Sequence, residues 1–141
     1  MSSPVSALGK QRGGGHYKDR GLQPVEFWAD RRWDAFSGSI LKYLTRWRDK
    51  GGVVDLEKAL HFAELRMELS GAFTVPKASS CKYTMGQYIK ANGIEQAEDA
   101  ILYALDAWVS DGKGGNNPLN SNYKAFIRLM TLYIEEVKGK L

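Results

Sequence analysis

With one cysteine and two histidines among 141 residues, the chain has little material for several familiar chemistries. Cys81 has no partner for an internal disulfide and no second cysteine for a CxxC metal or redox pair, so it is expected to be an inert thiol. No apolar run approaches the roughly 18 residues needed to cross a bilayer. Residues 1–15 also lack the apolar core of a signal peptide. A cytoplasmic protein with no membrane partner is therefore expected. The chain contains no GxxxxGK[ST] segment, which removes the backbone phosphate cradle of ordinary nucleotide kinases.

What is present suits one helical domain. A hydrophobic content of 43% is enough to fill a core in a chain of this length. The formal charge is only +4, but it is unevenly spread. Up to Lys58 there are eleven Lys/Arg against seven Asp/Glu, and beyond it nine against nine. An excess this small does not suit tracking a long nucleic-acid backbone, which needs a denser basic stripe. It suits a small phosphate-bearing ligand that meets the first part of the chain.

Residues 1–15, rich in Ser, Gly and basic side chains without apolar period, read as a disordered tail. Residues 16–141 read as a single helical domain with two halves, 16–70 and 84–141. Gln23-Pro24 opens a short helix, since proline is tolerated in a first turn. Phe36, Ile40, Tyr43, Leu44 and Trp47 recur at spacings of three and four and mark the buried stripe of a second helix, ended by Lys50-Gly51-Gly52. Asp55 is expected to cap a third helix striped by Leu56, Ala59, Leu60, Ala63 and Met67 and closed by Gly71. Thr84 with Gln87 has the form of a capping box, and Asn92-Gly93 stops that short helix. Ala97, Ile101, Ala104, Leu105 and Trp108 stripe the next helix. Tyr123, Phe126, Ile127, Met130, Ile134 and Val137 stripe the last.

The halves resemble each other. At an offset of 61 residues Phe27-Trp28 faces Tyr88-Ile89, Ile40-Leu41 faces Ile101-Leu102, Leu44 faces Leu105 and Trp47 faces Trp108. This pattern predicts an all-α bundle of two similar helix hairpins related by a pseudo-two-fold axis.

On the second helix Ser39, Lys42, Arg46 and Lys50 share one face, away from the Ile40/Leu44/Trp47 stripe. Three cations at this spacing repel by ~0.3 kcal/mol per pair, so the row is either solvated among acidic neighbours or matched by an anionic ligand such as a polyphosphate. The matching positions of the second half are Tyr103, Ala107 and Asp111. The stripe is shared and the cations are not. Because Arg46 lies off the stripe, Arg46→Ala is expected to leave the fold intact and to weaken phosphate binding by roughly tenfold to a hundredfold.

The string His16-Tyr17-Lys18, Gln23-Pro24, Ile40-Leu41-Lys42-Tyr43-Leu44-x-Arg46-Trp47-x-x-Lys50-Gly51-Gly52 and Asp55-Leu56-x-Lys58-Ala59 resembles the SaV-like family of small bacteriophage proteins, over roughly residues 16–68. That family includes a nucleotide kinase without a Walker loop. Where members often carry Gly-Asn this chain has Gly38-Ser39, which lacks the amide donor and acceptor. The resemblance implies a phage protein acting in an infected host cell that binds nucleotides and phosphorylates deoxynucleoside monophosphates, with ATP and Mg²⁺ as donor. His16, Tyr17, Lys18, Lys42, Tyr43, Arg46, Lys50 and Lys58 would form the phosphate site. Two alternatives stay open. One is a sequestering protein that removes a host nucleotide signal used in defence. The other is an all-α, metal-dependent nucleotide pyrophosphohydrolase, for which Glu64, Glu68, Glu95, Glu98 and Asp99 would supply the oxygens; acidic residues in a first turn also simply complement the helix dipole.

His61 beside the apolar stripe reads as a packing histidine. Tyr43 or Trp47, at a stripe edge, could stack on a base. Ala125, Leu129, Leu132 and Tyr133 give the last helix a second apolar side, from which a homo-oligomer is expected.

Overall fold

Proline at the first position of α1 (Pro24–Arg31) gives up only an N–H that has no helical partner, and the Glu26 carboxylate accepts from the Gln23 N–H at 3.2 Å. Arg32, in the left-handed region at φ 55°, ends the helix. Asp34 then caps α2 (Ala35–Arg46), accepting from the N–H and hydroxyl of Ser37. Next come α3 (Val53–Glu68) and α4 (Met85–Ala91), the latter opened by the expected Thr84/Gln87 capping box. They are followed by α5 (Gln96–Val109) and α6 (Ser121–Gly139), where the Asn120 side chain accepts from the N–H groups of Asn122 and Tyr123. This computed structural model describes residues 21–69, 81–94, 96–111 and 117–140, and every element among them is helical. The expected tail, the Gly71 stop, Glu95 and all but residues 81–83 of the connection expected over 71–83 lie outside the described residues.

The architecture is an all-α bundle of two pseudo-symmetric halves, α1–α3 and α4–α6. Within the halves α2 lies along α3 and α5 along α6; between them α3 packs on α6 and α2 touches α5, each against its own counterpart. The matched residues Phe27 and Tyr88 meet ring to ring at 5.1 Å. Ile40, Leu41, Leu44 and Trp47 are buried, as are Ile101, Leu102, Leu105 and Trp108, and all join one core cluster fed by all six helices. The repeat is thus visible in the packing, with one departure. An offset of 61 would open α6 at residue 114, whereas it begins at Ser121 after a longer connection than the α2–α3 turn.

Two close approaches set the first half. A Cβ on Gly38 would lie 2.6 Å from the Trp28 ring, so α1 crosses α2 at a distance only glycine permits. Arg66, almost fully buried, pairs with Asp34 at 3.0 Å and lies over the Trp108 ring at 4.9 Å, which ties α3 to α2 and to α5.

Four expectations are corrected. Helix α2 stops at Arg46 instead of reaching Lys50. Asp55 is not the cap of α3: Gly52 holds that position, and the Asp55 carboxylate turns to Arg46. Tyr133 belongs to the core side of α6, edge-on to Trp47, and not to an outer apolar side. His61, expected as a packing histidine, is instead exposed on α3, its ring centroid 6.5 Å from that of Phe62. Among the described residues no helix is long and apolar enough to cross a membrane.

Candidate phosphate-binding site

The tight turn over residues 47–52 brings the last turn of α2 beside the first turns of α3. Tyr43 stands in the middle of the result. Its ring stacks on Phe62 with centroids 5.8 Å apart. Around it gather Lys42 Nζ at 4.8 Å from the ring centroid, Arg46 Cζ at 4.8 Å and Lys58 Nζ at 5.5 Å. An aromatic face is one of the few apolar surfaces that attracts a cation, so the ring gathers charges that repel one another. Lys50 is exposed in the turn, and its charge also acts on Lys42.

Beneath the cations sits Asp55, 1% exposed, accepting from Arg46 Nε at 3.0 Å and from Nη2 at 3.5 Å. A Cβ on Gly51 would fall inside that carboxylate, so glycine there is a condition of the ion pair. The Lys42 amine is held below the usual lysine range, first by burial and then by the charge of Arg46, with Lys50 and Lys58 adding to it and Asp55 opposing. Lys42, Arg46 and Lys58 on the Tyr43 ring, with Lys50 near enough to act on Lys42 and one buried carboxylate paired to Arg46, favour an oxyanion carrying more than one charge. Beside Lys42 a small cleft of about 60 Å³ opens between α1 and α2, lined by Gln23, Pro24, Val25 and Trp28.

Of the residues singled out from sequence, Lys42, Tyr43, Arg46 and Lys58 come together and Lys50 stands at the edge of the group. His16, Tyr17 and Lys18 lie outside the described residues. Tyr43 is committed to Phe62 and the cations. Trp47 is buried beneath the Arg48 guanidinium, 4.5 Å from its ring, so base stacking on either ring finds no support. The Asp55–Arg46 pair is hidden in the sequence because Asp55 also has the type and place of a helix cap. The signal for it was the Gly-Gly turn between two residues nine apart.

Among the described residues, the carboxylates considered for a metal are not gathered. Glu98 is buried and accepts from Arg48 Nη2 at 2.6 Å and from the Tyr133 hydroxyl at 2.7 Å, while Glu64 and Glu68 are exposed on α3. No group of three or more potential metal ligands occurs among the described residues.

The hairpin that carries this cationic site lies within a stretch that matches one family model. Residues 12–64 match a family described as a protein of unknown function, DUF3310, which takes in α1, α2, the turn and most of α3. No curated protein and no solved structure matches the chain.

Proposed function

We propose that the α2–α3 hairpin binds the phosphates of a nucleotide, and that the chain is a nucleotide kinase without a Walker loop acting on a deoxynucleoside monophosphate. The carrying observation is the convergence of Lys42, Arg46 and Lys58 on the Tyr43 ring from two helices. Phosphoryl transfer asks mainly for positioning and charge neutralisation, which such a cluster supplies from side chains where a backbone cradle is lacking. The attacking group of a nucleoside monophosphate is a phosphate oxygen that is already ionised, so the burial of Asp55 does not deprive the reaction of a base. ATP would enter with Mg²⁺ as the donor, the metal carried on its phosphates. The Pro24, Val25 and Trp28 wall beside Lys42 offers an apolar rest for the sugar or base. His16, Tyr17 and Lys18 would complete the pocket, in the cytoplasm of an infected host cell.

A second reading shares the same cations. Asp55, buried and paired with Arg46, holds the cationic group in place, which a protein that keeps a nucleotide signal without converting it needs as much as a kinase does. The pyrophosphohydrolase reading has no comparable support, since Glu98 is engaged by Arg48 and Tyr133.

Incubation with radiolabelled deoxynucleoside monophosphates, with and without Mg²⁺ and ATP, separates these readings. Gain of phosphate supports the kinase. Tight binding with unchanged nucleotide recovered after denaturation supports sequestration. Absence of binding to any nucleotide overturns the phosphate site itself.

A further inference from the structure

Helix α6 turns Phe126, Met130, Tyr133 and Ile134 into the core. Its opposite side is an open trough lined by Ser121, Lys124, Ala125, Arg128, Leu129 and Leu132, with Leu132 54% exposed. The counterpart helix α3 presents Glu57, His61, Glu64 and Glu68 to solvent instead. The bundle therefore does not need an apolar outer face at this place in the repeat, and an apolar strip left on a small domain marks a contact surface.

The charges on the strip identify the partner. At about 100° per residue, Lys124, Arg128 and Glu135 fall along one flank of it, basic toward the N-terminus and acidic toward the C-terminus. None of the three has an ion-pair partner among the described residues. A parallel neighbour would set like charges together. An antiparallel copy sets Lys124 of each helix beside Glu135 of the other. We propose that the outer face of α6 pairs two copies of this chain antiparallel about a two-fold axis. The contact is self-complementary and closes at a dimer.

Sedimentation velocity across a range reaching about 50 micromolar tests this, that being a concentration at which a micromolar contact is mostly formed. The parent chain sediments as a dimer. Leu132→Asp raises the dissociation constant at least about tenfold while the far-ultraviolet spectrum and melting of the monomer stay as they were. Glu135→Lys, which makes the flank wholly basic, also weakens the dimer. The combined change Lys124→Glu, Arg128→Glu and Glu135→Lys reverses every sign and restores it, a rescue that a different protein partner or a misfolded chain would not give. A parent chain that stays monomeric, a Leu132→Asp variant that dimerises as well as the parent, or a reversed flank that stays monomeric overturns the proposal.

Discussion

The two halves of the chain bury the same stripe and spend their remaining surface differently. The first half places Lys42, Arg46 and Lys50 where the second has Tyr103, Ala107 and Asp111. The second half carries Ala125, Leu129 and Leu132 on the outer side of α6 where α3 is polar. What the halves share holds the bundle together, because the matched pairs Phe27 and Tyr88, Ile40 and Ile101, Leu41 and Leu102, Leu44 and Leu105, and Trp47 and Trp108 are all buried. What they do not share is where function is to be sought, since a surface that the scaffold builds perfectly well without is free to serve a ligand or a partner.

The strongest challenge to this division is at the axis. Phe27→Ala and Tyr88→Ala should each cost about 3–5 kcal/mol in denaturant titration, because both side chains are fully buried against each other. A large inequality would mean that the halves are not equivalent supports.

Next is Arg46. Its removal leaves the buried Asp55 carboxylate without its guanidinium, so Arg46→Ala should lose about 2–3 kcal/mol of stability, less than for a fully buried pair because Arg46 keeps some exposure. This replaces the expectation of an unaffected fold. The matched change Ala107→Ser should stay within about 0.5 kcal/mol.

Lys58→Ala and Lys42→Ala sharpen the contrast from the other side. Each should leave stability within about 0.5 kcal/mol, while calorimetry shows nucleotide affinity lower by about tenfold. Equal affinity in both variants would detach the cations from the ligand.

The smallest effect is in protons. Because its amine is held low in the folded chain, Lys42 releases its proton at a lower pH there than in the unfolded chain. Its contribution to stability therefore improves as pH rises through the folded value toward the unfolded one. A bound phosphate draws the amine back up, so binding at a pH between the lowered value and the ordinary lysine one should take up protons. Calorimetry in two buffers of different ionisation heat measures that uptake, which should shrink in Lys42→Arg. No uptake in the parent chain would place Lys42 away from the phosphate.

Much of this was legible in the sequence because periodicity reports burial directly. The stripes from Ile40 to Trp47 and Ile101 to Trp108, the Thr84 capping box and the cation row all follow from spacing and residue type. Long-range pairing was not legible. Asp55 has the right type and place for a helix cap, and only the turn geometry shows that it answers Arg46 instead. The 3.6-residue period puts Tyr133 near either edge of α6, and its place in the core is decided by the Glu98 carboxylate and the Trp47 edge that receive it. Arg66 reads as an ordinary basic residue near a helix end until Asp34 and Trp108 are seen to enclose it.

The joint between the halves has a consequence for how chains find each other while folding. On one side of the pseudo-axis the Thr45 and Tyr88 hydroxyls bond directly at 2.6 Å. On the other side the matched positions are Asp106 and Phe27, and Arg31 fills the difference by bonding Asp106 at 2.7 Å and covering the Phe27 ring at 4.9 Å. A first half that docked onto the first half of a neighbouring molecule would bring Thr45 against Phe27, which has no hydroxyl to meet it, and would leave Arg31 without its carboxylate. The apolar stripes alone would tolerate such an exchange, being nearly the same. The two unlike polar joints act as a lock and key between halves, steering each first half to its own second half and away from domain-swapped chains.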